Sequence, residues 1–233
     1  RVGPLRVASG DAVVRVERGV VTADSLQAVV GGITVYGDGT LGLADGRFGT
    51  SRFDFAGESL VGLRPLVMGV ADSVMVQDEL TDLARDFLRL GGIDPDTLPF
   101  EADVRMAGGI SGSAIVSGAL GDLDVDVTAR VVDGRYQQDA VDTITVELKG
   151  TGLPGVDGTW DLGASASGIL WRGLEFAHGE VSLNLFERSG AGSIDFARGP
   201  DEVYAARGSI RIDSVGGALG LTTATARINE QVW

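Results

Sequence analysis

Gly37-Asp38-Gly39-Thr40-Leu41-Gly42 has the G-x-G-x-x-G spacing that cradles a dinucleotide pyrophosphate. That chemistry needs a strand feeding a helix, because the helix N-terminus holds the anion. Here Leu43, Asp45 and Gly46 follow, and Asp45-Gly46 is a second hairpin signal, so the segment reads as β-structure with two turns. Gly109-Ile110-Ser111-Gly112-Ser113 approaches a nucleophile elbow. The elbow needs glycine two residues after the serine, and Ser113 stands there instead. The base of a triad would have to be His178, the sole histidine, which sits beside Gly179 at a predicted turn between Phe176 and Val181. We read it as an exposed loop residue. With one histidine and no cysteine, a zinc site also lacks ligands.

Carboxylates are plentiful but poorly grouped. Asp122, Asp124 and Asp126 alternate along a strand, in a row at roughly 7 Å spacing. Calcium needs six or more oxygens converging from a loop, so this row reads as a solvated face. Asp94, Asp96 and Glu101 flank prolines in a loop and suggest at most a weak cation site. Glycoside hydrolysis needs two carboxylates that meet in three dimensions, and nothing in the sequence singles out such a pair. We expect no catalytic residue, no metal and no cofactor; the chain reads as non-enzymatic.

The elements that would position a site are strands. In Leu123-Asp124-Val125-Asp126-Val127-Thr128-Ala129-Arg130-Val131 the apolar side chains take the odd positions. A period of two places them on one face of a sheet. The same pattern returns at Ile144-Val146-Leu148, Trp160-Leu162, Val181-Leu183-Leu185 and Ile210-Ile212. A long sheet with one apolar face must cover it with a partner layer or with a ligand.

Bulk properties narrow the partners. The chain has 233 residues, 44% hydrophobic, which suits a folded protein. Its 36 glycines are about twice the usual share of roughly 7% and fall between apolar runs, where turns and bulges need them. The net charge of −14 repels nucleic acid and anionic membrane surfaces. No run approaches the roughly 18 apolar residues of a membrane span, and no signal-peptide pattern opens the sequence. The start at Arg1 and the stop at Trp233 lead us to expect a segment of a longer protein, with targeting and anchoring sequence outside it.

Three regions follow: β-rich 1–77, a helical insertion and loop at 78–99, and a longer β-region at 100–233, read as one continuous unit. Early strands are expected at Ala12–Val16, Leu26–Val30, Ile33–Tyr36, Thr40–Leu43 and Arg52–Phe55. Asp38-Gly39, Asp45-Gly46, Asp133-Gly134 and Asp157-Gly158 are expected hairpin turns. One helix is predicted, from Asp78 to Leu90, with Leu80, Leu83, Phe87 and Leu90 on one side and Gly91-Gly92 as its stop. It could pack on the sheet, close one end of a groove, or touch a membrane surface. Later strands are expected at Ala102–Met106, Ser113–Ser117, Leu123–Val131, Thr143–Lys149, Trp160–Ala166, Ile169–Phe176, Glu180–Phe186, Gly192–Phe196, Val203–Asp213 and Ala218–Ile228.

Two stretches carry a family likeness. "AIVSGALGDLDVDVTARVVDGRYQQDAVDTITVELKGTGLP" and "GTWDLGASASGILWRGLEFAHGEVSLNLF" resemble the repeated region of TamB-like proteins of the AsmA superfamily, and "TSRFDFAGESLVGLRPL" fits the same style. The resemblance covers about 45–75 and 100–228 and rests on patterning, with no catalytic residue. It implies an all-β, mainly antiparallel fold: an elongated U-shaped sheet, a β-taco-like groove, here with one short helical insertion. It further implies an inner-membrane-anchored protein spanning the periplasm. Such a protein shields phospholipid acyl chains between the membranes and aids outer-membrane protein assembly with an outer-membrane β-barrel assembly partner.

On that basis the groove-lining residues are expected to be Val125, Val127, Val131, Ile144, Val146, Leu148, Trp160, Leu162, Leu183, Leu185, Ile210 and Ile212. The alternative is a structural β-solenoid or sandwich module of a surface or secreted protein, its core closed by its own side chains, with no lipid role. The alternation by itself does not separate the two.

Overall fold

Alternation at this length leaves the chain one economical choice, which is to pair each strand with the next. A computed structural model describes residues 7–43, 47–63, 106–153, 158–212, 217–229 and 231–232. They form thirteen strands in one sheet whose order is the sequence order. The strands are β1 (Val7–Glu17), β2 (Val20–Val30), β3 (Ile33–Gly42), β4 (Gly49–Gly57), β5 (Met106–Ala119), β6 (Asp122–Tyr136) and β7 (Asp139–Leu153). Then follow β8 (Thr159–Trp171), β9 (Leu174–Phe186), β10 (Ser189–Gly199), β11 (Glu202–Ile212), β12 (Gly217–Ile228) and the short β13 (Gln231–Val232). Sequential neighbours are antiparallel throughout. The sheet does not close, so the all-β, antiparallel expectation holds.

Three hairpins show why the meander is tight. Arg18-Gly19, Gly31-Gly32 and Arg172-Gly173 each join two strands with positive φ at both residues. That is the type I′ geometry, whose twist matches the strands it joins. β4 pairs directly with β5, so the sheet is continuous on either side of residues 64–105. Past the end of β4, β3 reaches β5 in a single parallel bridge, Gly42 to Ala119. The predicted helix at 78–90 and the Asp94, Asp96 and Glu101 group lie outside the described residues, as does Asp45-Gly46.

Several expected turns are strand interior. Asp38-Gly39 lies within β3. Only Gly39 has positive φ, at 132°, and a Cβ there would collide with the backbone of Thr50 and Ser51. The glycine serves a close approach of β4, so residues 37–42 lie within one strand, without the turn expected at Asp38-Gly39. Asp133-Gly134 is a bulge inside β6, and the chain turns at Gln137-Gln138. β5 runs unbroken through Gly108, Gly109 and Gly112, where a break between two strands was expected. β8 continues past Ser167-Gly168 to Trp171, and β9 includes His178. His178 is therefore an exposed strand residue, its Nε2 2.9 Å from Glu180 Oε1, and not a loop residue.

Register explains all of these errors except the one at Asp38-Gly39 as one event. Val131 pairs with Ile144, Ile144 with Ala166, and Ala166 with Gly179. The next matched set is Gly134 with Val141, Val141 with Ile169, and Ile169 with Phe176. In all four strands the step between sets is three residues, not two. An extra residue sits at Asp133, Asp142, Gly168 and Ala177, in line across β6 to β9. Each extra residue resets the alternation, as a bulge does. The result is a transverse crease, and the strand ends beyond it form a lip. Opposite it on β5, Gly108 (φ 117°) faces the Asp133-Gly134 pair.

Candidate functional site: the apolar face

Paired residues in adjacent strands share a face, so the register assembles the site row by row. One row across β6 to β11 is Val125, Gly150, Trp160, Leu185, Gly190 and Ile210. The next is Val127, Leu148, Leu162, Leu183, Gly192 and Gly208. Then come Ala129, Val146, Ala164, Val181, Ile194 and Ala206. The row nearest the crease is Val131, Ile144, Ala166, Gly179, Phe196 and Tyr204. Eleven of the twelve groove-lining residues expected from the sequence stand in these four adjoining rows of one face; the twelfth, Ile212, pairs with Gly217 at the end of β11.

Large side chains alternate with small ones along these rows. A Cβ on Gly150 would meet the Trp160 ring at 3.0 Å. One on Gly179 would meet Ile169 at 2.8 Å and Phe196 at 3.0 Å. The glycines make room for neighbouring rings and branched chains to lie across the sheet. The same face continues through β5 to β1. Val116, Ala114 and Ile110 pair with Ser51, Phe53 and Gly57, and Phe55 pairs with Val35.

The other face is polar. It carries Asp122, Asp124, Asp126, Thr128 and Arg130 on β6 and Ser182, Glu180 and His178 on β9. Side chains pair across it, as Lys149 with Asp126 at 3.7 Å and Ser182 with Ser193 at 2.9 Å. Exposed pairs of this kind contribute about 0–1 kcal/mol each. Ser111 and His178 both lie on this face. They stand on β5 and β9, four strand spacings of about 4.8 Å apart, too far for a nucleophile and its base. Among the described residues no group of three histidine, cysteine or acidic side chains could hold a metal.

The apolar face has no second layer among the described residues. Among the described residues the buried hydrophobic ones are only Ile33, Leu60, Ala119 and Phe176, and no side chain is completely buried. Leu221 is 72% exposed and Val16 61%. Two hollows mark it. One, of about 320 Å³, lies among Leu162, Leu183, Ile194, Ile210 and Leu221. The other, of about 450 Å³, lies in the lip and is lined by residues from Met106 on β5 to Phe196 on β10, with Leu60 beside it. In a flat sheet β5 and β10 would stand about 24 Å apart. One hollow shared by both means that the sheet curls there with its apolar side inward.

Sequence reasoning missed the lip residues Val141, Ile169, Phe176 and Phe196, together with Tyr204 beside them. The ring of Phe176 lies edge-on to Tyr204, centroids 6.4 Å apart. Tyr204 Oη donates to Glu202 Oε1 at 2.5 Å, and Arg198 Nη1 donates to the same oxygen at 3.1 Å. The Tyr204 hydrogen bond above all holds the Glu202 carboxyl below its ordinary value; desolvation opposes it and Arg198 adds to it. The same bond raises the Tyr204 hydroxyl. The signal that would have found the lip is the three-residue step between inward positions.

In the described residues, fold and face together define a single antiparallel sheet with one open apolar side. No protein family, curated protein or solved structure matches this chain.

Proposed function

We propose that this chain is a segment of a lipid-transfer bridge of the TamB-like, AsmA-superfamily kind, and that its apolar face shields phospholipid acyl chains. One observation carries the reading: four adjoining rows of apolar and small residues run across β6 to β11 with nothing covering them among the described residues. A methylene moved from water to such a lane gains about 0.8 kcal/mol, so a chain of ordinary length gains of the order of 10 kcal/mol before ordering costs. No particular polar group is needed, which fits the absence of a catalytic constellation in the sequence. The lane would serve any acyl chain, with the polar face in water.

In this reading the protein works in the cell envelope, between inner and outer membrane, without enzymatic chemistry. An outer-membrane β-barrel assembly protein is the partner the resemblance suggests. The test is lipid extraction and native mass spectrometry of protein purified without detergent. Phospholipid retained at a defined stoichiometry supports the reading. A lipid-free, monodisperse protein that takes none from vesicles refutes it.

A further inference from the structure

The strand at one edge of the sheet is open. Among the described residues β1 pairs only with β2, so its other side presents a row of unused N–H and C=O groups. From Ser9 to Glu17 every β1 residue has a β2 partner, and the irregularity in this stretch is an extra residue on β2, Asp24. Edge strands usually carry a proline, a lysine or an inward charge that discourages pairing. β1 has none of these. Ala12 is linked through Leu26, Gly37, Phe53 and Ala114 to Val127, so Gly10, Ala12, Val14 and Val16 stand on the apolar face. Asp11, Val13, Arg15 and Glu17 stand on the polar one. Val13, Val14 and Val16 are 58%, 52% and 61% exposed. The opposite edge, β12, carries one charge, Arg227, and β13 pairs there.

Alternate residues of an edge strand turn their backbone groups outward, and alternate residues share a face. Two copies of β1 running antiparallel meet both conditions only when the two-fold axis passes through a residue and not between two. The charges then choose the residue. With the axis at Val13, Asp11 of each copy faces Arg15 of the other, Val14 faces Ala12, Val16 faces Gly10, and Ser9 faces Glu17. The whole regular stretch is used. With the axis at Val14, Asp11 faces Glu17 in both directions; at Ala12, neither Asp11 nor Arg15 meets a charge. At Asp11 or Arg15 a residue faces its own like charge, and at Val16 only the last three residues of the strand pair. Unlike charges directly opposite favour pairing and like charges disfavour it. Arg15 Nη2 also reaches Asp24 Oδ2 of its own chain at 3.4 Å, an exposed contact that leaves other N–H groups of the fork for a second carboxylate.

We propose that β1 is an assembly edge: two copies of this chain pair there, antiparallel and centred on Val13, into one continuous sheet. A two-fold axis perpendicular to the sheet keeps both apolar faces on the same side, so the apolar rows of one copy run on into the other. This pairing goes beyond the acyl-shielding function and does not depend on it.

Sedimentation of the 233-residue chain over a concentration series is the test, and a reversible dimer is expected. Asp11→Arg sets two cations against each other at both contacts, and Arg15→Asp sets two anions. Each should weaken the dimer by about tenfold or more. Mixed in equal amounts, the two variants should associate with each other at near-parent affinity, because the mixed pair restores both unlike contacts. The double variant should dimerise as the parent does. Thermal melts close to the parent's report that each variant folds. The chain has no cysteine, so a nitroxide placed at Ser9→Cys or at Glu17→Cys reads the register. Both labels should show the same separation in the dimer, about 27 Å for an offset of eight strand residues. A monomer at every concentration overturns the pairing. A dimer indifferent to both charge reversals overturns it too, since the copies would then join through another surface, such as their apolar faces. A mixture no tighter than its components has the same force. Unequal label separations overturn the centre at Val13.

Discussion

The rings of Phe176 and Phe196 meet with centroids 5.4 Å apart at a 48° tilt. Phe196 pairs with Gly179, so strict alternation would send Phe176, three residues before that glycine, to the opposite face. The extra residue at Ala177 brings it back. The aromatic cluster of the lip therefore exists because of the crease.

Phe176 should be among the most sensitive positions of the described sheet. It is 8% exposed on a face that is otherwise half open. Phe176→Ala removes two ring contacts and leaves a void, and should cost about 3 kcal/mol. Phe176→Leu keeps most of the volume and should cost less than half of that. Urea unfolding midpoints check both.

The crease itself can be tested at Gly168. Its φ is +60°, and a Cβ there would strike the Asp142 carboxylate. Gly168→Ala should cost about 1 kcal/mol for the backbone alone, and more for the clash. In an Asp142→Ala background the collision with the carboxylate is gone, only a 3.0 Å contact with that residue's own Cβ stays, and most of the cost above the backbone share should disappear. A double-mutant cycle on unfolding free energies measures the difference. Strict additivity would mean that the two positions do not face each other across the crease.

The sheet was legible in the sequence because the part of β6 before Asp133, the part of β7 after Asp142 and the C-terminal half of β9 alternate without interruption, and each such run fixes a face. The shared face of Val125, Val127, Val131, Ile144, Val146, Leu148, Leu183 and Leu185 followed from that pattern. The lip did not, because period-two reading fails wherever a strand gains a residue. At Ala166-Ser167-Gly168-Ile169 and Phe176-Ala177-His178-Gly179 the reset looks like the end of one strand and the start of another. A glycine or histidine at that point strengthens the mistake. The Asp38-Gly39 error has a different origin. A dipeptide that favours a hairpin also suits a tight approach of a neighbouring backbone, and only tertiary context decides between them. The true hairpins at Arg18-Gly19 and Arg172-Gly173 were hidden by their arginines, which tolerate the left-handed region poorly but adopt it here.

Tyr204 and Glu202 give the lip a pH dependence. The Glu202 carboxyl is held below its ordinary value of 4.5 by the Tyr204 hydroxyl and then by Arg198. Its contribution is therefore complete above pH 4.5 and is lost as pH falls from there through the folded value. Tyr204 is raised above 10.0 by the same bond, so its contribution is complete below pH 10 and is lost as pH rises through the folded value. Tyr204→Phe removes the bond. The variant should show a flatter stability profile below pH 4.5 and above pH 10, read by thermal melts across the range.

The lane assignment meets its strictest test in two charges. Val146 is flanked by Ala129 and Ala164, and Leu183 by Leu162 and Gly192, all on the open face. Neither is buried, so an arginine at either place should cost about 1 kcal/mol of stability. An acyl chain in the lane, however, would have to pass a guanidinium that water can no longer fully solvate. Val146→Arg and Leu183→Arg should each abolish retained phospholipid and block transfer between vesicles, while melting close to the parent. Ser182→Arg, one residue away but on the polar face, should leave transfer intact. Transfer that survives both lane charges would place the lipid path elsewhere. Equal loss from Ser182→Arg would mean that charge acts through the surface potential and not through the lane.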